Sequence, residues 1–312
     1  MKVVVIEPLG IEEVELKKII AKNLPNCEIE LFSTKTTDTL ELIDRAKDAE
    51  IVVEANLPLT RQFIENCPQL KMISVAFTGV DHIDLEACQE RGIMICNSVG
   101  YSTVAVADLV FGMIIELYRH ISQCDLLTRQ EKTKEGLSFY ELEGKTIGII
   151  GMGTIGERVA KIAQAFGMNV LGYRRHQVAV DGVKNVDLET LLKQSDIVSI
   201  HTPLTKETTC LIGQKELSMM KPTALLINTA RGKIVDSLAL KNALNDNVIM
   251  GAGIDVFETE PPILKNHHLL NCKNVILTPH IGFATQEALI KRANIVFENI
   301  KNYLEGEPQN IC

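Results

Sequence analysis

The sequence predicts an α/β fold built from two doubly wound parallel-sheet domains. Three observations carry this prediction. Short, β-branched apolar runs recur along the chain, helical patterns separate them, and the rhythm begins twice, at residues 2–6 and at 145–151. Strands of a parallel sheet are covered on both faces, so they are typically near-continuous apolar runs. The 312 residues are enough for about two domains.

The first series fills the opening third of the chain. Its strands are expected at residues 2–6, 28–32, 50–55, 71–77 and 92–97. Helical patterns lie between these strands, near 11–22, 37–48, 60–66 and 84–91. A long and largely apolar helix is expected over 102–121, and a helix that is apolar on most sides must be buried.

The second series follows a polar stretch at 128–138. After the strand at 145–151, further strands are expected at 169–173, 196–200, 223–228, 248–254 and 274–278. A last helix should run from Thr285 to Leu304, with Thr285 as its N-cap.

The net charge of −8 and the pI near 5.5 argue against a general nucleic-acid or membrane-surface binder. An anionic substrate would therefore need a local cluster of positive charge. The eight cysteines are scattered without metal-ligand spacing, which is typical of a reduced intracellular protein without a metal site. No apolar run reaches membrane-spanning length, and the N-terminus resembles a strand rather than a signal peptide. We expect a cytoplasmic protein with no membrane or nucleic-acid partner.

A glycine-rich turn joins the first strand of the second series to a helix. Gly151, Gly153 and Gly156 form the pattern GxGxxG. The first glycine permits the tight turn, the second lets a pyrophosphate approach the backbone, and the third allows close helix–strand packing. A lone GxGxxG is weak evidence, but its place between a buried strand and a helix predicts dinucleotide binding.

Six further segments surround this turn in a defined order. They are TGVDHIDLEACQERGI (78–93), GYSTVAVADLV (100–110), HTPLTKETTCLI (201–212), INTARGKIVD (227–236), GAGIDVFETEPP (251–262) and TPHIGFAT (278–285). Together with the turn, they make the whole chain resemble the D-isomer specific 2-hydroxyacid dehydrogenase family. The resemblance implies hydride transfer between NAD(P)H and a small 2-keto acid or D-2-hydroxy acid. Glyoxylate, hydroxypyruvate, pyruvate and branched 2-keto acids are all candidate substrates.

The resemblance also implies that Arg231, Glu260 and His280 are the catalytic residues. An arginine can grip a carboxylate with two N–H groups and polarise the adjacent carbonyl, which supplies the positive charge required above. A histidine can donate a proton to the developing alkoxide, and a carboxylate can orient that imidazole and favour its charged form. Taken singly, each residue is better explained by a structural role. Their joint occurrence at strand ends of a dinucleotide fold favours catalysis.

Further binding residues follow from the same resemblance. The backbone N–H groups of Thr78 and Gly79 are expected to bind the substrate carboxylate. The residues expected to contact the cofactor are the three glycines with Thr154, Ile155, Arg174, Arg175, Thr202, Pro203, Thr229, Asp255 and Gly282.

One departure from the family pattern concerns cofactor choice. In an NAD-selective site an acidic residue about 20 positions past the first glycine receives the ribose hydroxyls. Here that slot holds Arg174, followed by Arg175. Two guanidinium groups can bind a 2′-phosphate, which predicts that NADPH is favoured over NADH. The alternative is that Arg174 stacks on the adenine while both cofactors are used.

The resemblance predicts the domain boundaries. Residues 101–284 should form a Rossmann cofactor domain, inserted into a flavodoxin-like substrate domain of residues 1–100 and 285–312. The apolar helix 102–121 and the resemblance together predict a homodimer. Two other functions stay open on the same fold: a dinucleotide-sensing, corepressor-like scaffold and a dehydrogenase of formate or phosphite type.

Overall fold

The computed structural model describes residues 1–174, 180–259 and 263–312, so the predicted roles of Arg175 and Glu260 lie outside the described residues. The chain divides into two compact units. The first, here called the split unit, consists of Met1–Ser102 and Ala284–Cys312. The second, the inserted unit, is Thr103–Phe283.

The split unit contains a five-stranded parallel sheet in the order β2-β1-β3-β4-β5, which is the flavodoxin-like order. The strands are β1 Lys2–Val5, β2 Glu28–Leu31, β3 Ile51–Glu54, β4 Met72–Val75 and β5 Met94–Cys96. The helices that follow them are α1 Glu13–Asn23, α2 Thr39–Ala46, α3 Arg61–Glu65 and α4 Leu85–Glu90. Strands β3 and β4 are buried along their whole length, as their continuous apolar runs predict.

The inserted unit contains a seven-stranded parallel sheet in the order β12-β11-β10-β9-β6-β7-β8. Its strands are β6 Thr146–Ile150, β7 Asn169–Tyr173, β8 Val183–Asn185, β9 Ile197–Ile200, β10 Leu225–Asn228, β11 Gly251–Ile254 and β12 Val275–Leu277. Its helices are α5 Thr103–Arg119, α6 Ile121–Arg129, α7 Thr154–Ala165, α8 Leu188–Gln194, α9 Gln214–Met219 and α10 Ser237–Asn245. Short 3₁₀ turns occur at Gly232–Ile234 and His268–Asn271. The two parallel sheets confirm the predicted fold class.

The last helix, α11 Gln286–Leu304, returns to the split unit. The Thr285 hydroxyl caps it by accepting from the N–H of Ala288 at 3.2 Å, as predicted. Its Ala293, Val296 and Phe297 pack into the core beneath the five-stranded sheet. This contact joins the C-terminal segment to the first strands of the chain.

Two elements depart from the sequence prediction. The helix expected over 102–121 ends at Arg119, because His120 adopts a left-handed conformation with φ of 48°. A second helix, α6, then begins at Ile121. No core-facing apolar pattern predicted this helix, because none of its residues is buried. The short edge strand β8 was also not predicted. No helix in the described part of the chain has the length and apolar character that a membrane crossing requires.

Candidate active site

The glycine turn follows β6, where the strand order of the seven-stranded sheet changes direction between β6 and β9. Gly151 has φ of +99°, and a Cβ there would lie 2.5 Å from the backbone carbon of His201. A Cβ at Gly156 would overlap the Gly151 carbonyl oxygen, whereas a Cβ at Gly153 would meet nothing within 4 Å. Gly151 and Gly156 are therefore required by packing, and Gly153 leaves open space above the turn.

This open space lies at the start of α7. Gly153 is the N-cap of α7, and no side chain caps the helix. The N–H groups of its first turn, from Thr154 to Gly156, are therefore left to an outside acceptor. Free N–H groups and the helix dipole together favour an anion. The cradle therefore fits the pyrophosphate of a dinucleotide.

A second observation supports this fit. Thr229 follows β10 and is only 9% exposed. Its hydroxyl oxygen is buried and has no hydrogen-bond partner among the residues that the structure describes. A buried hydroxyl without a partner is uncommon in proteins, and a bound cofactor would supply one.

Arg174 stands directly after β7, next to the glycine turn. Its Nη1 donates to the carbonyl oxygen of Met152, inside the GxGxxG segment, at 2.9 Å. The guanidinium is thus anchored beside the turn rather than extended into solvent.

The segment after β9 lies against the same turn. Thr202 and Pro203 follow His201, and the Thr202 amide nitrogen would be 2.7 Å from a Cβ on Gly151. The Ser199 hydroxyl and the His201 Nε2 are 2.8 Å apart. His201 is partly exposed as a residue, but its imidazole is enclosed, and this burial lowers its pKa to about 4. The ring is therefore neutral at physiological pH.

Three neighbouring strands carry the predicted catalytic loops. Strands β10, β11 and β12 are adjacent and parallel, so their carboxyl ends meet at one edge of the sheet. Arg231 follows β10, Asp255 follows β11, and His280 follows β12. Ligands bind at this edge in doubly wound sheets.

Asn228 holds the turn that carries Arg231. Its side-chain amide Nδ2 donates to the Arg231 carbonyl oxygen at 3.0 Å, and its Oδ1 accepts from the N–H of Ala230 at 3.0 Å. Asn228 is 1% exposed, so the amide that makes both bonds is itself shielded from water.

Asp255 holds the turn that carries His280. Its Oδ1 accepts from the Ile281 N–H at 2.8 Å, and its Oδ2 accepts from the Gly282 N–H at 2.8 Å. The Thr278 hydroxyl donates to Oδ1 at 2.5 Å. Burial raises the pKa of Asp255, and these three hydrogen bonds oppose that rise. Gly282 is required because a Cβ there would lie 2.9 Å from Oδ2.

His280 itself sits in a left-handed backbone conformation, with φ of 56°. Its N–H donates to the Asp255 carbonyl oxygen at 2.8 Å. Its ring meets the Phe283 ring edge to face, with centroids 5.3 Å apart. The left-handed backbone of His280 is thus held by the buried Asp255 and by Phe283, and such backbone strain is common at functional sites.

In the split unit, Thr78 and Gly79 follow β4 at its carboxyl end. The Asn97 side chain donates to the Thr78 carbonyl oxygen at 2.7 Å, which fixes this loop. Across residues 1–174, 180–259 and 263–312, neither the Thr78 N–H nor the Gly79 N–H has a hydrogen-bond partner. Both donors therefore remain available to a ligand.

Asn228 and Thr278, which hold these loops, were not predicted from the sequence. The hydrogen-bonded Ser199–His201 pair at the end of β9 was not predicted either. Only Asn228 could have been identified from the sequence, because it is a polar residue at the end of an apolar strand and shortly before Arg231.

Comparisons with known proteins agree with this geometry. The family profile "D-isomer specific 2-hydroxyacid dehydrogenase, NAD binding domain" matches residues 111–282. A glyoxylate reductase of Thermococcus litoralis is 42% identical over 299 residues, covering 91% of this chain and 90% of that protein. A hydroxypyruvate reductase of Blautia hydrogenotrophica is 32% identical, covering 100% and 99%. The structure of an acyclic imino acid reductase in complex with NADPH and D-Arg matches with a TM-score of 0.92 and 34% identity, covering 100% of each chain. The chain belongs to the D-isomer specific 2-hydroxyacid dehydrogenase family.

Proposed function

We propose that this protein reduces small 2-keto acids to D-2-hydroxy acids and favours NADPH over NADH as the reductant. The observation that carries the proposal is that the Arg231 and His280 loops follow β10 and β12 at the same carboxyl edge of one sheet, where a glycine turn that fits a dinucleotide follows β6. The relatives named as glyoxylate and hydroxypyruvate reductases agree with this reaction class.

In this scheme each residue has a defined role. Arg231 grips the substrate carboxylate and polarises the keto group. His280 donates a proton to the oxygen that becomes the hydroxyl, and Glu260 orients its imidazole. A nicotinamide held at the glycine turn would supply the hydride. Asp255, expected from the family resemblance to hold the nicotinamide carboxamide, also anchors the turn that carries His280.

The cofactor preference rests on Arg174. A carboxylate at this position would repel a 2′-phosphate, whereas a guanidinium attracts it. The bond from Arg174 to the Met152 carbonyl holds the guanidinium near the turn, so little side-chain entropy is lost on binding. The imino acid reductase that was solved with NADPH supports the use of the phosphorylated cofactor on this fold.

We also propose a homodimer formed through the inserted unit. Helix α6 has no buried residue and exposes Ile121 by 53% and Leu126 by 59%. Phe139 is 37% exposed nearby in sequence. Exposed apolar side chains on a short helix favour a surface that a partner covers. Sedimentation at micromolar concentration should give the mass of two chains, and Leu126→Asp should give one.

The reaction is tested with a panel of glyoxylate, hydroxypyruvate, pyruvate and branched 2-keto acids. Each is offered with NADPH and with NADH, in the presence and absence of ammonia, because a structural neighbour reduces imino acids according to its name. We expect oxidation of NADPH with at least one keto acid in the absence of ammonia. Tight NADPH binding without turnover of any member would contradict the proposal and favour a dinucleotide-sensing scaffold.

A further inference from the structure

A carboxylate–imidazole pair lies beside the loop that follows β11 in the inserted unit. The Glu258 oxygen Oε2 and the His267 nitrogen Nε2 are 2.8 Å apart. The His267 side chain is only 7% exposed. Its ring also meets the Phe257 ring edge to face, with centroids 5.2 Å apart. The imidazole is therefore held on two sides, by a carboxylate and by an aromatic ring.

The hydrogen bonds of His267 indicate which ring nitrogen carries the proton. Its Nδ1 accepts from the backbone N–H of Leu269 at 3.3 Å, which leaves the proton on Nε2 to be donated to Glu258. Partial burial raises the pKa of Glu258, but hydrogen bonds with Ser237 and His267 outweigh it, and the net shift is downward. Glu258 is thus a carboxylate that joins the start of α10 to the start of the second 3₁₀ turn.

The backbone of Phe257 and Glu258 is also the surface on which the Arg231–Gly232 turn packs. A Cβ on Gly232 would overlap the Phe257 carbonyl group and would lie 2.5 Å from the Glu258 amide nitrogen. The two backbones touch with no side chain between them. A displacement of Phe257 and Glu258 is therefore passed directly to the turn, because close-packed interiors transmit strain.

We propose that Glu258 and His267 are positioning residues for the reaction: they fix the Phe257–Glu258 backbone and, through it, the turn that carries Arg231. The inference rests on the function proposed above, in which Arg231 grips the substrate carboxylate. The same pair anchors the chain two residues before Glu260 in sequence. Neither residue touches the reacting atoms in this scheme.

The test compares three variants with the native protein. His267→Phe keeps the aromatic contact and removes both hydrogen bonds, whereas His267→Gln keeps a donor toward Glu258. Lys221→Gln is the control, because it breaks the 2.8 Å ion pair with Asp196, which stands just before β9 at the opposite edge of the sheet. The measurements are kcat and KM with glyoxylate, the Kd of NADPH, Tm, and backbone hydrogen exchange over 231–235.

For His267→Phe we expect kcat/KM to fall by about 10- to 100-fold, since a shift of about 1 Å at a positioned group has an effect of this size. Exchange over 231–235 should become faster, and the NADPH Kd should stay within about twofold, since the glycine turn is not involved. His267→Gln should recover most of the activity. Lys221→Gln should lower Tm and leave kcat/KM unchanged.

If the rate of backbone hydrogen exchange over residues 231–235 is the same in His267→Phe as in the native protein, the proposal is refuted, whether or not the native protein reduces glyoxylate. An equal loss of kcat/KM in Lys221→Gln at an equal Tm also refutes it, because the effect would then be general destabilisation. If the native protein turns over no keto acid, the proposed function fails and the exchange measurement alone decides the positioning role. If His267→Phe does not fold, Glu258→Gln replaces it under the same criteria.

Discussion

The enclosed imidazole of His201 should make the stability of the inserted unit depend on pH. Its pKa is lowered from the ordinary value of 6.5 to about 4 by burial. Between these two values the unfolded chain binds a proton that the folded chain excludes. The stabilising contribution is therefore complete above pH 6.5 and is lost as the pH falls from 6.5 toward 4.

The two pKa values give the size of the effect. Each unit of pKa difference corresponds to about 1.4 kcal/mol, so the full window is worth about 3 kcal/mol, and the step from pH 7 to pH 5 is worth about 2 kcal/mol. Other groups titrate over the same range, so the native protein alone does not isolate His201. The variant His201→Gln keeps a polar group near the Ser199 hydroxyl and removes the titration.

The assay is urea unfolding followed by circular dichroism at pH 7 and pH 5. The free energy of unfolding should drop by about 2 kcal/mol more in the native protein than in His201→Gln. The control is His268→Gln, because His268 is exposed and its replacement should leave the native pH dependence unchanged. Equal pH dependence in the native protein and in His201→Gln would refute the reasoning.

Four further predictions concern the candidate site. Arg231→Lys keeps the charge but loses the bidentate contact with the carboxylate, so kcat/KM for keto-acid reduction should fall by about 100-fold. Near-native turnover would contradict the role proposed for Arg231. Arg174→Asp should reduce kcat/KM with NADPH by about tenfold and spare NADH, and a native preference for NADH would contradict this. Glu260→Gln should move the pH dependence of reduction to lower pH, provided that chemistry limits the rate, and an unchanged profile would exclude the orienting role. Gly153→Ala should weaken NADPH binding at unchanged Tm, because its Cβ would occupy the open space above the turn. Gly156→Ala should destabilise the fold by about 2 kcal/mol, because its Cβ overlaps the Gly151 carbonyl oxygen. Equal losses of Tm in the two variants would contradict these separate roles of the two glycines.

The strands were predictable because a strand that is buried on both faces is a continuous apolar run in the sequence. The strand expected at 169–173 is observed at those residues, and the Thr285 cap begins α11 as expected. The glycine turn was predictable for a similar reason, since its pattern and its neighbouring elements are all local.

The missed features depend on contacts that are distant in sequence or on the absence of burial. Helix α6 buries no residue in its own unit, so a pattern based on core-facing residues did not predict it. The packing of Gly232 against Phe257 and the bonds of Asp255 to the His280 turn join strands whose adjacency is not encoded locally. Sequence patterns identified the loops that carry the chemistry, and only the structure identified what holds those loops.

The uncapped start of α7 makes the stability of the folded protein depend on the concentration of its dinucleotide cofactor. A helix that begins on glycine forgoes a capping side chain, which costs on the order of a few tenths of a kcal/mol relative to serine or aspartate at the N-cap. A bound anion restores those hydrogen bonds, and any ligand held only by the folded chain adds about 2.7 kcal/mol at a hundredfold excess over its Kd. Differences of this size change the fraction of unfolded chains that proteases can degrade. The abundance of the protein in a cell should therefore follow the size of its dinucleotide pool, with no separate regulator.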